Sequence, residues 1–201
     1  MEREDAHDFK AIHDAVQVLK TGGVIVYPTD TSYGLGCDPL NPEALKTVYA
    51  IKNRTTSSPL PVIAANILMV KQWCEWPVDA KKLASTYWPG PLTFVLATKR
   101  PLPRELTGFR TSIAIRVPAH EVAKALSRRL GRPIVSTSAN LAGKGEIFEP
   151  DRIVEMFGDA KNQPDLFLDG GTLPTSKPST IVDLTKGKPY ILRKGAVTLH
   201  F

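Results

Sequence analysis

The stretch Lys20–Pro39, KTGGVIVYPTDTSYGLGCDP, constrains the possible folds of this chain more than any other segment. Val24, Ile25 and Val26 form a short β-branched run suited to a buried strand, and Pro28, Gly34 and Gly36 interrupt regular structure just where hydroxyls cluster. Thr29, Asp30, Thr31, Ser32 and Tyr33 are therefore expected at a strand end. In α/β sheets such ends carry accessible loops on a rigid scaffold and often face ligands. A plain hairpin turn accounts for the same residues, because Thr, Asp and Gly are also common turn formers.

Around this segment, helical and strand patterns alternate. Phe9, Ile12, Val16 and Leu19 fall on one helix face, ended by Gly22 and Gly23. A helix is expected over Pro42–Ile51, with Asn41 as N-cap and Pro42 as the first helical residue. Leu60–Ala65 reads as a strand that Pro61 confines to an edge or a strand start. Ala80–Tyr87, Glu121–Leu130 and Asp151–Phe157 read as helices. Trp88–Thr98, Ser112–Val117, Pro133–Val135, Leu166–Leu168, Ile181–Leu184 and Tyr190–Leu192 read as strands. The pattern predicts one α/β domain spanning residues 1–201, a twisted mixed sheet with flanking helices.

With 201 residues the chain can bury a core without disulfides or metals. Lys and Arg total 26 against 20 acids, a net charge of +6 that suits an anionic partner such as a nucleotide or RNA, although a basic solvated surface gives the same count. Cys37 and Cys74 have neither CxxC spacing nor adjacent histidines, which argues against zinc and a disulfide framework and for a reducing cytoplasm. The N-terminus MEREDAHDFK lacks the apolar core of a signal peptide, and no apolar run approaches the length of a membrane span. His7, His13, His120 and His200 are widely separated and are assigned surface or structural roles.

Cations recur just outside the predicted elements: Lys52 and Arg54 after a helix, and Arg193 with Lys194 at the last strand's end. Arg116 interrupts the otherwise apolar strand SIAIRV, where an unpartnered charge would cost several kcal/mol. Arg forks onto phosphate or carboxylate oxygens and Lys adds a compact charge, so the set suits a polyphosphate. Ser136, Thr137, Ser138 and Asn140 supply more polar groups than an N-cap needs and form a candidate anion cradle. GxxxxGK[ST], GxGxxG and GxSxG are all missing, so a P-loop, a dinucleotide fingerprint and a nucleophile elbow are disfavoured.

GGVIVYPTDTSYGLG, KNR with PL five residues later, WPGPLTFVL, SIAIRVP, PIVSTSAN, PSTIVDL and RKG, in this order and spacing, resemble the YrdC-like family along the whole chain. The similarity is strongest to short bacterial members, with no counterpart in these residues of the extra C-terminal domain of longer ones. The resemblance implies an open twisted α/β sheet with a positively charged concave face. It also implies a nucleotidyltransferase that uses L-threonine, bicarbonate and ATP, with Mg²⁺ accompanying the ATP, to make threonylcarbamoyl-AMP and pyrophosphate. That product serves N6-threonylcarbamoyladenosine formation at tRNA position 37 through a downstream threonylcarbamoyl-transferase complex; tRNA is a further possible partner.

Carried over by motif, Thr31, Arg116 and Ser136 are implied to contact L-threonine, with Arg116 on its carboxylate. Lys52, Arg54, Ser58, Ser112, Ser138, Asn140 and Arg193 are implied to contact ATP, and Ser179 and Thr180 lie in the matching PST segment. No nucleophile or dedicated metal site is implied. Three departures stand out: Thr55 and Ser58 replace the usual residues in the loop after KNR, Ile63 stands where longer members have His, and Glu146 stands where some relatives have Ser. The competing reading is a non-catalytic RNA-binding protein of YrdC or YciO type, against which the joint presence of Thr31, KNR, TSAN and RKG argues.

Overall fold

A computed structural model describes residues 1–56 and 58–199, so His200 lies outside the described residues. The chain begins with β1 (Glu2–Asp5), α1 (Phe9–Lys20), β2 (Ile25–Pro28), β3 (Tyr33–Gly36) and α2 (Pro42–Lys52). It continues through β4 (Val62–Ile63), α3 (Ile67–Trp73), α4 (Val78–Tyr87), β5 (Leu92–Ala97), α5 (Arg104–Thr107), β6 (Ser112–Arg116) and α6 (Glu121–Leu130). β7 (Ile134–Val135), β8 (Thr137–Ser138), α7 (Pro150–Phe157), β9 (Leu166–Asp169), β10 (Thr180–Asp183) and β11 (Tyr190–Arg193) complete it.

The strands form two mixed sheets rather than the one expected, in orders β1-β9-β2-β3-β8 and β11-β10-β5-β6-β4-β7. The chain crosses between them three times, most abruptly at Ser136, the single residue separating β7 of one sheet from β8 of the other. Ser136 N–H is held there by the Pro61 carbonyl at 2.8 Å. Leu60–Ala65 contracts to a two-residue strand starting just after Pro61; it lies between β6 and β7, so Pro61 marks a strand start and not an edge.

The segment after β2 is a tight hairpin whose second strand, β3, carries both glycines. Gly36 is required there because a Cβ would sit 2.6 Å from the Val135 carbonyl and 2.7 Å from the Tyr27 ring. α1 and α6 pack side by side through Ile12, Val16, Leu19, Leu126 and Leu130, covering Ile25 and Tyr27. A second core, built on Leu35, Leu45, Val48, Trp88, Phe94, Ile113, Ile115 and Phe167, fills the space around both sheets. Both cysteines are free and buried, and burial pushes the Cys74 thiol up to about 12, so neither is a reactive thiolate. No helix among the described residues is long and apolar enough to cross a membrane.

Candidate active site

Strand alternation sorts β6 into two faces: Ile113 and Ile115 enter the core, while Ser112, Ala114 and Arg116 line a cavity. On β5, Thr93 and Val95 likewise face the cavity and Phe94 and Leu96 the core. The opposite wall comes from the other sheet, through Thr29, Thr31 and Ser32 of the hairpin and Thr137 and Ser138 of β8. Ser136 and Asn140 flank that last strand in the same lining. The cavity holds about 720 Å³, within the range of small-molecule sites.

Thr31, Lys52, Arg54, Ser112, Arg116, Ser136, Ser138, Asn140 and Arg193 all line this one cavity. Ser58 does not; its carbonyl accepts from the Tyr49 hydroxyl, and Pro59 is its neighbour that reaches the lining. Ser179 also lines the cavity, whereas Thr180 is buried and ties down the C-terminal segment through its hydroxyl.

Arg116 and Asp30 form a buried ion pair, and a second guanidinium nitrogen of Arg116 donates to Thr31 Oγ1 at 3.1 Å. The charge inside an apolar strand is thus balanced by the hairpin tip, which engages two of the five N–H donors that a guanidinium carries. Thr29 Oγ1 accepts from the backbone N–H groups of Thr31 and Ser32 at 3.1 and 3.3 Å, which fixes the turn presenting Thr31.

Lys52 and Arg54 lie two residues apart yet do different work. α2 ends at Lys52, and Asn53 adopts the left-handed conformation, φ 50°, that lets the chain turn so that Arg54 reaches the cavity. The Lys52 ammonium donates to the Ser138 carbonyl at 2.6 Å and to both the carbonyl and Oδ1 of Asn140 at 2.9 Å. All three of its donors are thus engaged in holding the STSAN turn, which gives Lys52 a structural task that Arg54 does not share. Burial, reinforced by the nearby Arg54 charge, lowers its pKa to about 8.

Arg193 is aimed by Ser179, donating from Nε and Nη2 to its carbonyl at 3.0 and 2.8 Å and from Nη2 to its hydroxyl at 3.1 Å. This approach needs Gly195, where a Cβ would lie 2.1 Å from the Pro178 carbonyl. Burial lowers the pKa of Arg193, with opposing help from Glu146.

Sequence reasoning missed Asp30 as the partner of Arg116, and also Arg110 and Asp183 in the lining. Arg110 was within reach: it lies two positions before Ser112, the spacing of one strand face. Asp30 was not, because its partner is 86 positions away.

An α/β scaffold whose two sheets bring separated cations, hydroxyls and a buried carboxylate-binding guanidinium to one cavity is that of a binder of anionic small molecules. Residues 17–195 match the family model Sua5/YciO/YrdC, described as telomere recombination, and the chain belongs to this family. It is 39% identical over 181 residues to the threonylcarbamoyl-AMP synthase of Coxiella burnetii, covering 89% of this chain and 95% of that one. Pyrococcus abyssi Sua5 complexed with L-threonine superposes with a TM-score of 0.87 at 35% identity, over 96% of this chain and 56% of that longer one. Escherichia coli YciO superposes with a TM-score of 0.84 at 32% identity, over 96% and 93% of the two chains.

Proposed function

We propose that this protein is an enzyme that makes threonylcarbamoyl-AMP and pyrophosphate from L-threonine, bicarbonate or carbon dioxide, and ATP. The observation that carries this reading is the convergence of Thr31, Arg54, Arg116, Ser138 and Arg193 on one cavity, in a chain that shares 39% identity with a protein named for that reaction. The fold alone does not select it, since YciO shares the fold. The buried Arg116–Asp30–Thr31 arrangement does, because a surface for RNA has no use for a guanidinium enclosed behind a small-molecule cavity.

In this reading the threonine carboxylate meets Arg116 and its hydroxyl meets the Thr31 turn, which leaves the amine directed into the cavity. The amine captures carbon dioxide to give a carbamate, whose oxygen attacks the α-phosphorus in line as pyrophosphate departs. Arg54 and Arg193 neutralise the charge spreading over the phosphates, and the polar STSAN turn orients them. Asp183 Oδ1 is committed to Thr185, and no group of three potential metal ligands is clustered among the described residues. Mg²⁺ carried in on the triphosphate would supply further charge neutralisation. The product is expected to pass, in the cytoplasm, to an enzyme complex that transfers the threonylcarbamoyl group to adenosine 37 of tRNA.

Pyrophosphate release should occur with ATP and bicarbonate only when L-threonine is present; release independent of threonine contradicts the reading. Arg54→Ala should raise KM for ATP roughly 10–100-fold, the loss of one charge-assisted phosphate contact, with KM for threonine little changed. Steady-state kinetics on both substrates checks the split.

A further inference from the structure

Glu146 and Asp183 are the acidic side chains that line the cavity. Asp183 is engaged by Thr185, but the half-buried Glu146 carboxylate makes no hydrogen bond or ion pair with any described residue. The backbone on either side of it is nevertheless anchored. On one flank Asn140 Nδ2 donates to the carbonyls of Lys144 and Gly145; on the other the Tyr33 N–H donates to the Ile147 carbonyl at 3.0 Å. The first tie belongs to the STSAN turn and the second to the hairpin that presents Thr31. The two parts of the site thus jointly anchor the backbone on either side of Glu146, whose side chain lines the same cavity as Arg116 and Arg193 and feels both positive charges.

A half-buried carboxylate that no donor hydrogen-bonds is a place for a cation that brings N–H donors of its own. ATP brings phosphates, which Glu146 repels. An amino acid whose carboxylate lies on Arg116 brings an α-ammonium whose nitrogen is only ~2.5 Å from the carboxyl carbon. That ammonium must lose a proton before its nitrogen can act as a nucleophile. We infer that Glu146 receives the α-ammonium of the amino-acid substrate and takes its proton. The N–H bond breaks, a carboxyl O–H bond forms, and the bonding pair stays on nitrogen. That lone pair forms the N–C bond to carbon dioxide as a C=O π pair moves onto oxygen, and the second amine proton leaves to water. Burial raises the Glu146 pKa above the ordinary carboxylate value, in the direction a proton acceptor for an amine requires.

This inference rests on the proposed reaction, and its test separates the two. Calorimetric titration of the wild-type protein and of Glu146→Gln compares L-threonine with 3-hydroxybutyrate, which keeps the carboxylate and the hydroxyl but has no amine. Wild type should prefer threonine by about tenfold or more, and Glu146→Gln should lose most of that preference while its thermal melt stays put. In turnover, Glu146→Gln should raise KM for threonine and lower kcat, leaving KM for ATP near wild type. A Glu146→Gln protein that still releases pyrophosphate and keeps the full preference for threonine overturns the assignment alone. A variant altered only in its Mg²⁺ requirement also overturns it, assigning the carboxylate to the metal. Wild type that shows no threonine-dependent pyrophosphate release removes the underlying reaction as well.

Discussion

Arg116→Ala is expected to lose stability and function together, by about 3–5 kcal/mol in unfolding free energy and ~10³-fold in kcat/KM for threonine. The stability loss follows from Asp30, whose side chain is 9% exposed against 8% for Arg116 and whose Oδ2 has no other partner among the described residues. Removing the guanidinium leaves a buried carboxylate without its counter-charge, which is costlier than the pair itself is stabilising. The functional loss follows from the free donors of Arg116, to which the proposed reaction assigns the substrate carboxylate. The double variant Asp30→Asn/Arg116→Met separates the effects, because it leaves no uncompensated charge. Denaturant unfolding should show most of the stability recovered, while pyrophosphate release stays near the Arg116→Ala level. Recovery of threonine-dependent turnover in the double variant would remove Arg116 from substrate binding; wild-type stability in Arg116→Ala would remove Asp30 as its counter-charge.

How far this arrangement could be read in advance depended on the range of the forces involved. α1, α2 and α6 were legible because period and caps are local: Asn41 Oδ1 accepts from the Glu43 and Ala44 amides, and Pro42 opens the helix as its sequence position suggested. β3 was hidden because its two glycines lower strand propensity, and only the approach of Val135 and Tyr27 in three dimensions explains them. β1, sequence ERED, shows no apolar alternation; it is an edge strand held by pairing with β9. The chain changes sheet three times, and at the shortest of these crossings a single residue, Ser136, separates the strands, which no local pattern marks. The cavity's cations were visible singly, but their division of labour was not. A lysine at a helix end looks the same whether it meets phosphate or, like Lys52, three acceptors of a neighbouring turn.

Lys52→Met should therefore differ in kind from Arg54→Ala, although both remove a cation from the same cavity. Methionine occupies similar space but leaves the carbonyls of Ser138 and Asn140 without this donor, and unfolding free energy should fall by about 2–3 kcal/mol. The loosened turn no longer presents Ser138 or the segment after Asn140, so ATP and threonine kinetics should both deteriorate, ~10²-fold in kcat/KM. The wild-type protein should show a related pH effect. The folded pKa of Lys52, about 8, lies below its ordinary value of 10.5, so the ammonium persists below pH 8 and is lost from the site above it. Between about 8 and 10.5 the unfolded chain holds this proton more firmly than the folded one, so this group makes folding more favourable as pH rises. Nucleotide affinity should fall over the same range, because the turn loses one donor and its charge. Equilibrium ATP binding from pH 7 to 9.5 checks this: wild type should weaken above pH 8, and Lys52→Met, already weak, should lack that step. A wild-type affinity flat across the range would show that the Lys52 proton does not govern the turn.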